Sequence, residues 1–473
     1  MRAHLLAGAA LAALSLSLSV HAQPASTASV AVVSGRDAVA VHDLATGAER
    51  ARFATPGGST DIQMTPAGVA ILNHTAGNQL ILIDAAAARE IGRIPASGIG
   101  ATRPVHAYLS HPIDGRQFFV VLNDGVEANT PVGQRPADSS MLLVNITPGQ
   151  PRYLEAAGEV RLGRGHHKAA FSTRRPRVAI SNIADCADVI TVYDYTNPRE
   201  IAAVKTFSAA DFGFDGATAA RTCDETGRRF TALAPHGSGS SLATGRAFHF
   251  ITGTGQIAAI DIDAEVPSLA VISTSGVGGN AVKDFPGGAF MVAAQRTPRE
   301  IGLRGQGETC QVGQIAIIDA AGLNLAAQVP IRYDGPDCTR SLVGAPEANA
   351  SPAYPITSAD GKLLFIQLGT IAPAAGQRAE TRMTALFDIS NPRRPVQLPS
   401  IAVGAGNGAR ENALSGDGSR LLTPDTLADT VSVIGVTERR MVASFATVAA
   451  PSRVVTFGPE GPSKPVGPAG AAK

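Results

Sequence analysis

Three histidines recur at one place in consecutive stretches of the chain: His106 in "RPVHAYLSH", His167 in "GRGHHKAAFS" and His236 in "LAPHGSGSS". Imidazole nitrogen is a good ligand for zinc, and three such ligands with an open fourth position suit a site that exchanges its ion or acts on a bound molecule. Each histidine precedes or opens a predicted strand, so units stacked around one axis would bring the rings together. His166 adjoins His167, and alternation along a strand sends one of the two inward and the other outward; register favours His167. Asp61 holds the matching place in the preceding unit and is an oxygen candidate to complete the shell, with Glu347 and Glu411 as candidates across the ring. Asp185 and Asp188 flank Cys186 and are placed to accept from an imidazole and fix its tautomer. Zinc is the expected metal; copper is the alternative, because imidazole ligands favour it intrinsically.

The elements that must position these residues come from a repeat. An apolar strand, a tight turn, a second strand, a variable loop, a third strand ending in Asp and a polar fourth strand recur. Copies include "AVAVHDLATGAERARF", "QLILIDAAAAREIGRI", "VITVYDYTNPREIAAV" and "MTALFDISNPRRPVQL". With 50 Gly, 31 Pro and almost no helical periodicity, the pattern predicts an all-β chain, a single β-propeller over 29–457. Eight four-stranded blades are expected, with seven as the alternative count. The first unit lacks an inner strand and "PSRVVTFGPEG" resembles the missing one, so the terminal strands should close the ring. The Pro/Gly/Ala stretch 458–473 reads as a disordered tail.

In such a blade the opening of the innermost strand and the loop between second and third strands lie on one face. His74, in a second-to-third-strand loop, belongs there with the three histidines. So do the long segments 123–140, 208–233, 294–313, 336–349 and 368–382, which should cover one mouth of the channel.

Residues 1–22 carry Arg2, an apolar run and a small-residue end, the pattern of a cleaved export signal, and a bacterial periplasm is the expected destination. In an oxidising compartment the four cysteines should form disulfides; Cys186 pairs with Cys223 and Cys310 with Cys338 by their repeated placement. Forty basic residues against 39 acidic ones, without a basic cluster, point away from nucleic acid. No membrane insertion is expected, and a monomer suffices. Neither a Gly-x-Ser-x-Gly elbow nor a His-Glu-x-x-His helix is present, and Trp is absent. The alternatives are a non-catalytic propeller that binds a peptide or cell-envelope partner, and a metal-dependent hydrolase or lyase with His166 or Asp185 as general base.

The run "PVHAYLSHPIDGRQFFVVLNDG", then "GHHKAAFSTRRPRVAISNI", then a cysteine upstream of "APHGSGSSLATGRAFHFITGTGQIAAIDI" resembles the periplasmic zinc metallochaperones that partner zinc ABC importers. The resemblance covers residues 100–265, with generic propeller similarity outside it; the repeat pattern as a whole also resembles propellers of the YVTN or surface-antigen type. Members of the metallochaperone family carry histidines in Pro-Val-His, His-His and Cys…His-Gly settings, matched here by His106, the His166/His167 pair, Cys223 and His236. The resemblance implies a propeller that binds zinc and has a metal-binding protein of an ABC importer as its partner.

Overall fold

Second strands such as Val69–His74, Phe118–Asn123 and Leu363–Leu368 are buried along their whole length. Their near-continuous apolar sequences reflect sheets covered on both faces. Outermost strands such as Arg89–Pro95 alternate between exposed and half-buried residues, because only their inner side meets a neighbour. The computed structural model describes residues 29–125, 139–162, 167–182, 188–213, 233, 235–251, 253–275, 277–296, 310–333, 352–368, 382–405, 412–459 and 461–462. These form eight antiparallel sheets, the blades of one propeller. Apolar side chains pool at the seams: Val69 and Ile71 of blade 2 meet Phe119 and Val121 of blade 3, and Phe118 and Val120 on the opposite face of that strand meet Val178 and Ile180 of blade 4.

Blade 1 is closed by the two ends of the chain. Val30–Ser34 pairs with Arg453–Gly458, from Ser34 opposite Arg453 to Val30 opposite Phe457, so the ring has no open seam between first and last blades. Gly461–Pro462 adds one more short antiparallel pairing to that strand. Ordered pairing thus continues past the expected start of the tail at 458, because the exposed backbone edge of the innermost strand accepts it; residues 463–473 lie outside the described residues.

The innermost strands of blades 2 to 5 are Ser59–Met64, Pro104–Leu109, His167–Phe171 and Pro235–Ser240. Several slip register where they begin: between Ser59 and Ile62, Pro104 and His106, and Pro235 and Gly237. A bulge leaves a residue outside the ladder and turns its side chain away from the regular alternation. Asp61, His106 and His236 all lie in or beside these bulges. Six of the eight third strands end in an Asp that caps the following turn, the exceptions being Asn145 in blade 3 and Gly435 in blade 8: Asp43 accepts from the N–H groups of Ala45 and Thr46 at 3.1 and 3.0 Å, and Asp319 from Gly322 at 2.8 Å.

Antiparallel alternation puts the openings of innermost strands on the same face as the ends of second strands. Asn123, Arg296 and Leu368 end such second strands, and the long segments after them leave from this face. Residues 126–138, 214–232, 297–309, 334–350 and 369–381 within those segments lie outside the described residues.

Candidate functional site at the channel mouth

His106 is the third residue of its strand and 3% exposed. Its Nδ1 lies 3.2 Å from Lys168 Nζ in blade 4 and 4.0 Å from Asp61 Oδ2 in blade 2. Asp61 is spoken for on both oxygens. Oδ1 accepts from Ile62 N at 3.0 Å and Oδ2 from Ala107 N at 2.9 Å, while Arg453 Nε stands 3.2 Å from Oδ1. Arg453, Asp61, His106 and Lys168 therefore form a buried chain of charged and titratable groups across blades 1 to 4. Charges so far from water are held by one another, and removal of one leaves its partner uncompensated.

The two neighbours of His106 ask for different tautomers. Lysine is a donor only, so in contact with Lys168 the ring accepts at Nδ1 and carries its proton on Nε2. With the proton on Nδ1 and directed at Asp61, Nε2 presents the lone pair a metal needs, the usual carboxylate–histidine–metal arrangement. Deeper along the same strand, Tyr108 faces Ser238, the backbone of Ala169 and Tyr354. Burial first, then the charges of Asp61 and Tyr354, hold its hydroxyl well above the ordinary tyrosine range, so it stays protonated. Ser238 Oγ donates to Ala169 O at 2.8 Å, and Lys283 Nζ lies 5.7 Å from the Tyr354 ring centre.

Of the residues expected in the site, Asp61 and His106 are brought together. His236 is half-buried and stands at its bulge as the second residue of its strand. His167 opens its strand opposite Asn182; its position is described in the backbone alone. His166, Asp185, Glu347 and Glu411 lie outside the described residues, and Asp188 is described only where its backbone pairs with Ser208. Cys186, Cys223 and Cys338 also lie outside, so neither expected disulfide is within the described set; Cys310 pairs in backbone with Tyr333. Among the described residues no group of three or more His, Cys, Asp or Glu side chains gathers closely enough to hold a metal ion. His74 Nε2 meets the carbonyl of Pro56 at 2.8 Å, so its ring ties down the connector into blade 2. Sequence reasoning missed Lys168, Tyr108 and Arg453. The overlooked signal was a charged or phenolic residue on an innermost strand: Arg453 and Lys168 stand first and second in theirs, by the same criterion that singled out the histidines, while Tyr108 stands fifth.

The described chain is similar over most of its length to several solved structures. Apo AztD from Citrobacter koseri superposes with a TM-score of 0.55 at 10% identity, covering 91% of this chain and 98% of that one. A second structure of Citrobacter koseri AztD gives 0.51 at 10% identity, over 92% and 99% of the two chains. Dihydro-heme d1 dehydrogenase NirN in complex with DHE gives 0.57 at 13% identity, over 92% of this chain and 76% of that one. At these identities the likeness shows the fold alone. No protein-family model matches the sequence, and no curated protein matches it. Among the described residues no helix is long and apolar enough to cross a membrane.

Proposed function

We propose that this chain is an exported, periplasmic metal-binding propeller, a zinc metallochaperone-like protein that carries its ion at the channel mouth. The observation that carries this reading is positional. The innermost strands of three successive blades neighbour one another round the ring, and each has a histidine among its first three residues. His106, His167 and His236 are the ligands, with His166 as the candidate to complete the set. Asp61, with both oxygens engaged, acts on the Nδ1 side of His106 and orients it. Asp185 and Asp188 serve the neighbouring imidazoles in the same way. The resemblance at His106, the His166/His167 pair, Cys223 and His236 supports zinc as cargo, and the fold shared with AztD is consistent with it. Disulfides 186–223 and 310–338 would staple the long segments at the mouth, and the receiving partner would be a metal-binding protein of an ABC importer.

The decisive experiment is elemental analysis after zinc loading and dialysis, on the mature protein and on a His106→Ala/His236→Ala variant. About one zinc per chain in the first and none in the second is the expected result. No retained zinc or copper in the wild type would sink this reading and leave a propeller that binds a peptide or envelope partner.

A further inference from the structure

On the face opposite the mouth, the seam between blades 3 and 4 opens into a pocket of about 210 Å³. Its walls are the turn after the third strand of blade 3, the corresponding turn of blade 4, and the hairpin joining the first two strands of blade 3. Each wall contributes a guanidinium: Arg152, Arg199 and Arg116. Phe118, Pro151 and Pro198 supply apolar surface between them, and no carboxylate lines the pocket.

The walls are fixed before any ligand arrives. A Cβ on Gly158 would sit 1.5 Å from the carbonyl oxygen of Pro198, so the outer strand of blade 3 touches the blade 4 turn with no room for a side chain. Asn145 Nδ2 donates to Pro151 O at 3.0 Å and holds the opposite turn closed. Arg152 adopts a left-handed φ of 61°, an uncommon conformation for a residue with a side chain. It also donates through Nη2 to Ala156 O at 2.6 Å and pairs through Nε with Glu155 at 3.2 Å. Arg116 Nη2 reaches the carbonyl of Thr196 at 3.4 Å, spanning the seam. The guanidinium of Arg199 is exposed and makes no hydrogen bond or ion pair among the described residues.

We propose that this pocket binds a small multivalent oxyanion, an organic polyacid or a phosphate ester, with its charged oxygens on the three guanidiniums and its carbon skeleton against Phe118 and the two prolines. Planar guanidinium forks match carboxylate and phosphate oxygens in pairs; Arg199 offers such a fork, Arg116 and Arg152 offer the N–H groups left over from their own bonds, and three cations on rigid walls favour a ligand with at least two negative charges. The site is independent of the metal reading, since it lies on the other face of the ring.

Isothermal titration of metal-free protein with citrate and with inorganic phosphate, at low ionic strength, tests it. One site per chain is expected for at least one of the two, with affinity falling at least about tenfold in Arg116→Ala/Arg199→Ala. Arg199→Glu alone, at an exposed position, should weaken binding without lowering the thermal midpoint of the ligand-free protein. Binding of citrate alone identifies the polyacid and of phosphate alone the phosphate ester. No binding of either anion, or binding unchanged in both variants, would overturn the proposal.

Discussion

At the scale of single residues, the channel mouth is governed by competition for one nitrogen. Lys168 and Asp61 both face Nδ1 of His106, and only the tautomer favoured by Asp61 leaves Nε2 ready for an ion. Lys168→Met should therefore raise zinc affinity, by roughly tenfold on the scale typical of groups that orient a metal's histidine ligands; a chelator-competition titration measures it, and a fall in affinity would mean that Lys168 supports the site. Asp61→Ala acts differently. It removes the partner of buried Arg453 and the acceptor for two backbone N–H groups, so stability should fall by about 3–5 kcal/mol. Urea unfolding followed by circular dichroism reads that loss, which should occur with or without zinc.

At the scale of elements, the turn aspartates and two buried ones pull stability in opposite directions with pH. Backbone N–H groups in the turns hold the carboxyls of Asp43, Asp319 and Asp388 below their ordinary values. Their stabilisation is present above the unfolded-state value of about 4 and is lost as pH falls through the lower folded values. Asp284 and Asp425 are instead pushed up to about 7 and about 6, in both cases chiefly by burial. A raised carboxyl favours the fold at low pH, so that contribution is lost as pH rises through about 4 to 7. Stability should therefore peak on the mildly acidic side of neutrality. Asp284 Oδ2 has no hydrogen-bond partner among the described residues; Asp284→Asn should flatten the decline between pH 5 and about 8, checked by thermal midpoints across that range. A wild-type midpoint that rises steadily to pH 8 would contradict this.

At the scale of the molecule, the ring depends on a strand contributed by the far end of the chain. Val30 and Val32 in blade 1 belong to the same buried cluster as Val455, and Arg453 opens the closing strand beside Asp61. Truncation after Ala450 removes the innermost strand of blade 1, uncovers an edge and unpairs Asp61 in one step. Such a protein should show a lower thermal midpoint and early proteolytic cleavage within residues 29–54, read by mass spectrometry; cleavage no faster than in the full chain would show that closure adds little.

Local chemistry alone determined the repeat, the closing strand and the Asp-capped turns, since apolar runs covered on both faces, punctuating Gly and Pro, and an Asp at the end of most third strands are visible along the sequence. The placing of His106 beside Asp61 followed from the same repeat, because equivalent positions in adjacent blades meet at the ring's axis. What the sequence could not give was decided by register and by contacts between blades. Bulges at Pro104–His106 and Pro235–Gly237 shift side chains by one position, which no periodicity reveals. The Lys168 contact joins residues 62 apart, and Arg453 reaches Asp61 only because the chain closes on itself. The arginine pocket likewise exists only where the turns of blades 3 and 4 touch, across a gap that Gly158 alone makes narrow enough.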